Sequence, residues 1–226
     1  MSALFGFIGP PDDDLMLRLK SALQHRGSGL ATHVCGQGSI AVLGGPEQDT
    51  GGIHSEGGLS IALCGRLAWP PPSPDRLAKL LRRYAEGGID FVRTLSGSFT
   101  MAILDGEMLY LVRDSGGRAS LSYARIDGRL IFASEPRALL EAGAPNRICL
   151  EGVYSYFCWG LSPSGSSLRR DVRSLPSGSF LVQRGMHDPR TERYFSPQSD
   201  EPFPIAAGCD WPGVFESLLR SSLKEC

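Results

Sequence analysis

Several residues in this sequence have the types and spacing to do chemistry. Ser115-Gly116-Gly117-Arg118-Ala119-Ser120 is a glycine-rich run flanked by serines. Backbone amides and a hydroxyl in such a run can grip a pyrophosphate when a helix starts there. No helical pattern follows, which favours a structural turn. Arg66, Arg76 and the pair Arg82-Arg83 could bind an anion. A solvated surface is the ordinary fate of such residues, above all for Arg82 and Arg83. Cys64 sits in an apolar strand pattern, where a lone cysteine is a displaced nucleophile or, more often, a small buried hydrophobe. His25 could carry protons, or could serve packing and a turn. The six cysteines, at 35, 64, 149, 158, 209 and 226, form no CxxC pair and no zinc-finger spacing with histidine. Reduced, scattered thiols in a cytoplasmic protein are expected, and no metal site.

The elements that would position these groups alternate between short strands and a few helices. Leu4–Ile8 reads as a buried strand. Asp12 to Asp14 offer a cap and first-turn acids to a helix carrying Leu15, Leu19, Ala22 and Leu23. Leu30–Val34, Ser39–Leu43 and Leu59–Leu63 read as strands between glycine-rich turns. Ser73-Pro74-Asp75 starts a second helix, with Leu77, Leu80, Leu81 and Tyr84 on its apolar face and Gly87-Gly88 at its end. Phe99, Met101 and Ile103 alternate with small polar residues, and Asp105-Gly106 turns the chain into Glu107–Val112. A second hairpin, Leu121–Arg125 with Leu130–Ala133, surrounds Asp127-Gly128. Short helices are expected at Glu135–Glu141 and Leu150–Trp159, and a strand at Phe180–Arg184. The aromatic residues Tyr154, Tyr156, Phe157 and Trp159 are expected in the core, with a docking face as the alternative. Residues 197–208 read as a polar linker, and Trp211 to Lys224 as an amphipathic helix. The order predicts an α+β architecture with helices covering sheet faces.

Bulk properties narrow the classes. The chain has 226 residues and a net charge of −1, with no long run of one sign, so neither a nucleic-acid groove nor an anionic membrane surface is expected as partner. No apolar stretch approaches the roughly 20 residues that span a bilayer. The start, MSALFGFIGPPDDD, has no basic segment and is followed by acids, unlike a secretory signal.

At this point a family enters. MSALFGF resembles the MCGIxGF start of class II glutamine amidotransferases, and His25-Arg26-Gly27 resembles the HRGPDG segment of asparagine synthetases. Residues 95–140, LSGSFTMAILDGEMLYLVRDSGGRASLSYARIDGRLIFASEPRALL, are similar to that family's LxGxFAFxxxD…LxLARDRLGxKPLYY…G…FASExKALL. SLPSG at 174–178 and ERYFSP at 192–197 match its L-PPG and RYW-P ends. The resemblance implies an Ntn-hydrolase-like four-layer αββα sandwich of mainly antiparallel sheets over residues 1–197. It implies that 198–226 is a linker and the first helix of an ATP-using synthetase domain. It also sets SGGRAS on the family's RDRLGxKPLYY hairpin, and gives His25 a structural role.

In this family the residue after the initiator Met is a cysteine, and its own α-amine is the general base for attack on glutamine's amide. The resemblance puts Ser2 at the nucleophile position. It puts Cys64 in place of the oxyanion-hole asparagine, leaving the Gly65 backbone as the other donor, and Arg66 in place of the adjacent acid. A thiol is a poor donor, and losing one oxyanion donor costs on the order of 10²–10³ in rate. The helix aligns with the family's SDTEVLLHxYE through Leu80, Leu81 and Tyr84. That sets Arg76 where an aspartate holds the substrate's α-amino group, with Asp75 one position earlier, about 100° round the helix. The family's carboxylate-holding arginine, in RLSI, has no counterpart in AVLGGPEQD at 41–49.

Three expectations follow. The first is a domain inactive as a glutaminase that supports an ATP-dependent amide-forming synthetase, like the degenerate halves of β-lactam synthetases and lasso-peptide cyclases. It needs no cofactor of its own, ATP and Mg belonging to the synthetase domain, which is its partner in cis or as a separate chain and acts on a peptide or small amino acid. The second is a working Ntn amidohydrolase using Ser2 after removal of Met1. The third is a non-catalytic pocket that recognises an acidic ligand or peptide.

Overall fold

The computed structural model describes residues 2–35, 38–44, 51–162, 165–197 and 210–225. Strand β1 (Ala3–Ile8) leads into helix α1 (Asp13–Leu23). Then come β2 (Gly29–Cys35), β3 (Gly38–Gly44), β4 (Gly51–Glu56), β5 (Leu59–Trp69) and helix α2 (Arg76–Gly87). Two hairpins follow, β6 (Ser96–Asp105) with β7 (Met108–Arg113), and β8 (Ser122–Ile126) with β9 (Arg129–Ala133). Helices α3 (Pro136–Glu141) and α4 (Leu150–Trp159), strands β10 (Val172–Ser174), β11 (Ser179–Arg184) and β12 (Arg190–Arg193), and helix α5 (Trp211–Glu225) complete the order.

The strands form two sheets, ordered β10-β8-β9-β1-β3-β2 and β12-β11-β7-β6-β5-β4, with every pairing antiparallel. Alternation of side chains along each strand builds three apolar layers. Ala3, Phe5 and Phe7 point outward beneath Leu15, Leu19 and Leu23 of α1 and Leu139 of α3. Leu4, Ile8 and Ile40 point inward and meet Ala62, Ala102, Leu104 and Leu111 of the other sheet. Ile61, Leu63, Met101 and Ile103 face the far side, under Leu80, Leu81 and Tyr84 of α2. This is the expected four-layer αββα sandwich. The Asp12 carboxylate caps α1 by accepting from the Leu15 amide at 3.0 Å, as the acidic run predicts. At the second hairpin, Asp127 and Gly128 both take positive φ, 50° and 81°, the requirement of a type I′ turn.

The structure corrects the sequence reading in three places. α2 begins at Arg76 and not at Pro74, because the Arg76 amide bonds the Ser73 carbonyl at 3.0 Å and closes a separate turn ahead of the helix. Strands β4, β10 and β12 carry no apolar alternation and were not expected; all three lie at a sheet edge, where a polar strand costs little. The aromatic face of α4 is outside the core: Tyr154, Phe157 and Trp159 are 72–83% exposed. Composition alone hides this: Gly152 is the one buried residue of α4. α5 forms as expected and exposes Phe215, Leu218 and Leu223. The expected linker lies almost wholly outside the described residues. Among those described, no helix is long and apolar enough to cross a membrane, and no cluster of three metal-ligating side chains occurs.

Candidate functional site

Ser2 stands at the head of β1 and is buried. β1 is pinned there by Ser134: the Leu4 amide donates to Ser134 Oγ at 2.8 Å and the Ser134 amide to the Leu4 carbonyl at 2.8 Å. Ser120 Oγ in turn donates to the Ser134 carbonyl at 2.6 Å. The FAS stretch and the loop after β7 thus hold the start of the chain in place.

β5 brings Cys64 opposite Ser2, and the Cys64 thiol donates to Ser2 Oγ at 3.2 Å. Burial pushes the thiol's pKa up from its usual value; the Ser2 and Thr100 hydroxyls, the Arg26 charge and Ser134 oppose the shift without cancelling it. The sulfur is therefore a neutral thiol at neutral pH, inert as a nucleophile. Next to it, Gly65 has φ +104°, and a Cβ there would stand 2.3 Å from the Ser98 carbonyl oxygen. Only glycine fits where β5 crosses β6 so closely.

These residues line a cleft of about 630 Å³. Arg26, Arg66 and Arg118 also line it, with hydroxyls from Ser96, Ser98, Thr100, Ser120 and Ser222. Among the described residues no Asp or Glu lines it. Glu135, from the FASE run, lies behind Arg26 and is engaged by both the Arg26 guanidinium and His25 Nε2, the latter at 2.9 Å. His25 itself does not line the cleft. Burial raises the Glu135 pKa, but the Arg26 and His25 hydrogen bonds and charges outweigh it and hold the carboxyl below its usual value.

The structure brings Ser2, Cys64, Gly65 and Arg66 together and leaves Asp75 and Arg76 out. The Asp75 carboxylate pairs with Lys79 at 3.0 Å on the surface. Arg76 is buried and lines a second recess with Gly51, Leu63, Pro72, Ser73, Pro74 and Leu77. The cause is the pleat of β5: Cys64 joins the layer between the sheets and Leu63 the layer under α2. Arg76, Leu80 and Tyr84 share one buried stripe of α2, so Arg76 follows Leu63 and not Cys64. The segment 45–49, where the carboxylate-holding arginine was sought, lies outside the described residues. Arg82 and Arg83 line neither cavity.

The SGGRAS segment is a structural turn. The amides of Arg118 and Ala119 donate to the buried Asp114 carboxylate at 3.3 and 3.1 Å. The Arg113 guanidinium donates to the Ala119, Leu175 and Gly117 carbonyls at 2.6–2.7 Å. Those amides are spent and cannot cradle a phosphate. Sequence reasoning missed Arg26, Arg118, Thr100 and Ser134 as lining residues; HRG and FASE were the signal for two of them, read as scaffold.

Two antiparallel sheets between helices, with the second residue of the chain in a cleft at the head of the first strand, make an Ntn-hydrolase-like sandwich. Residues 78–195, just over half of the chain, match the model of the glutamine amidotransferase domain family, and the chain belongs to that family. Ser2 and Cys64 precede the matched stretch. The fold is similar to that of glutamine phosphoribosylpyrophosphate amidotransferase from B. subtilis complexed with ADP and GMP (TM-score 0.60, 16% identity, 85% of this chain and 49% of that one). It is similar also to the allosteric regulatory enzyme of purine biosynthesis (TM-score 0.59, 16% identity, the same coverage). This chain thus spans about half the length of either. No curated protein matches it.

Proposed function

We propose that this glutamine amidotransferase-type domain does not hydrolyse glutamine and serves as the scaffold of an asparagine-synthetase-type, ATP-dependent amide-forming enzyme. The observation that carries the reading is the cleft itself. Glutamine arrives with an ammonium that needs a carboxylate, and among the described residues the cleft offers Arg26, Arg66 and Arg118 instead. The group at the oxyanion asparagine's position is a protonated thiol already donating to Ser2. The partner is a synthetase domain, in cis or as a separate chain, holding ATP and Mg and using an amine of a peptide or small amino acid in place of ammonia.

The test is the effect of Ser2→Ala on amide formation by the domain together with its synthetase. Unchanged product formation is expected, with loss on deletion of residues 1–197. A Ser2→Ala variant that makes product only from added ammonia would show that the domain supplies ammonia and sink the proposal.

A second reading is favoured by the three guanidinium groups: the cleft recognises an acidic ligand or peptide without turning it over. Calorimetric titration with glutarate against an Arg118→Gln variant tests it; an undiminished heat in the variant counts against this reading.

A further inference from the structure

Among the described residues, a buried charge on the other face of the same sheet has no counter-ion. Arg76 is only 6% exposed, and its Nη1 is buried without a hydrogen-bond partner. It forms no ion pair with any described residue. Moving a guanidinium out of water with no partner is among the costliest arrangements in a folded protein. The neighbouring carboxylate does not relieve it, because Asp75 is turned toward Lys79 and Ser73.

Arg76 opens into a recess of about 460 Å³. Its walls are mostly apolar, from Leu63, Pro72, Pro74 and Leu77, with Ser73 as the other polar side chain. The recess also lies at the first turn of α2. No side chain caps that turn, since Asp75 at the N-cap position makes no capping bond. The positive end of a 12-residue helix therefore adds to the guanidinium.

We propose that this recess binds a small carboxylate or phosphoryl anion, its charged head against Arg76 and its apolar body against Pro72, Pro74 and Leu77. A bidentate anion satisfies a planar guanidinium directly and explains why an arginine is tolerated on the buried stripe of α2. The site is distinct from the Ser2 cleft, with which it shares no lining residue, and does not depend on the fate of the glutaminase.

The test is thermal unfolding at constant ionic strength with inorganic phosphate in one arm and benzoate in the other. A saturable rise is expected in at least one arm, roughly 3–6 °C at ten times Kd. Phosphate alone would assign a phosphoryl ligand, and benzoate alone a carboxylate with an apolar body. Arg76→Met should abolish the rise and unfold no lower than the parent without anion, whereas Arg118→Gln should keep it. Should Arg76→Met not fold, the Arg76 Nε–H resonance of the unaltered protein must shift with the same saturation. A rise that survives Arg76→Met, a rise lost in Arg118→Gln, or no saturable response in either arm overturns the proposal.

Discussion

The Cys64 thiol donates to the Ser2 hydroxyl oxygen across 3.2 Å, joining the two residues that the resemblance sets at the oxyanion and nucleophile positions. Because burial holds the thiol's pKa above its usual 9.0, it stays protonated through neutral pH. Cys64 should resist iodoacetamide at pH 7.5 while exposed Cys158 is labelled, as peptide mass mapping would read out. The linkage sign follows. A raised folded value leaves stability intact below 9.0 and removes it as pH climbs past the unfolded value toward the folded one. Urea unfolding from pH 8 to 10.5 should lose less stability in Cys64→Ala than in the parent; equal losses would contradict the burial argument.

Glu135 ties the HRG and FASE segments together through His25 and Arg26. Glu135→Gln is expected to cost roughly 1–3 kcal/mol at pH 7, the worth of hydrogen bonds to a charged group. A depressed carboxyl contributes above its unfolded value of 4.5 and loses that contribution as pH falls through the folded one. The gap between parent and variant in urea unfolding should therefore close in acid. A gap that stays constant from pH 7 to 3 would show that the cost is packing and not charge.

Gly65 is required by backbone approach. Gly65→Ala combines φ +104° with a contact 2.3 Å from the Ser98 carbonyl oxygen. The expected loss is roughly 3 kcal/mol. A near-neutral result in denaturant melts would mean that β5 and β6 separate more easily than their pairing implies.

α4 offers a contrast between composition and position. Phe132→Ala, at a fully buried site between the sheets, should cost about 3–5 kcal/mol. Phe157→Ser, at 83% exposure, should stay within about 0.5 kcal/mol. Comparable losses would place α4 back in the core.

Much of the fold was legible because its elements carry local rules. Asp12 announces a cap, Asp127-Gly128 a tight turn, and Phe99, Met101 and Ile103 a one-sided strand. The edge strands β4 and β12 were not, since edge pairing needs no apolar face. In the cleft, Ser2, Cys64, Gly65 and Arg66 were found together because they sit on the two strands that carry the family pattern. Asp75 and Arg76 were misplaced because alignment along α2 does not say which side of β5 its first turn overlooks. That depends on the one-residue alternation between Leu63 and Cys64, a property of the packed sheet. Arg118 was visible in the sequence, but its place at the cleft follows from Asp114 and Arg113 folding the loop back.

The most direct measurement is steady-state ammonia release from saturating glutamine by protein from which Met1 has been removed, with Ser2→Ala as the control. The account predicts that parent and Ser2→Ala release ammonia at the same background rate. Turnover by the parent that disappears in Ser2→Ala would contradict it, and would make this arginine-lined cleft a working glutaminase.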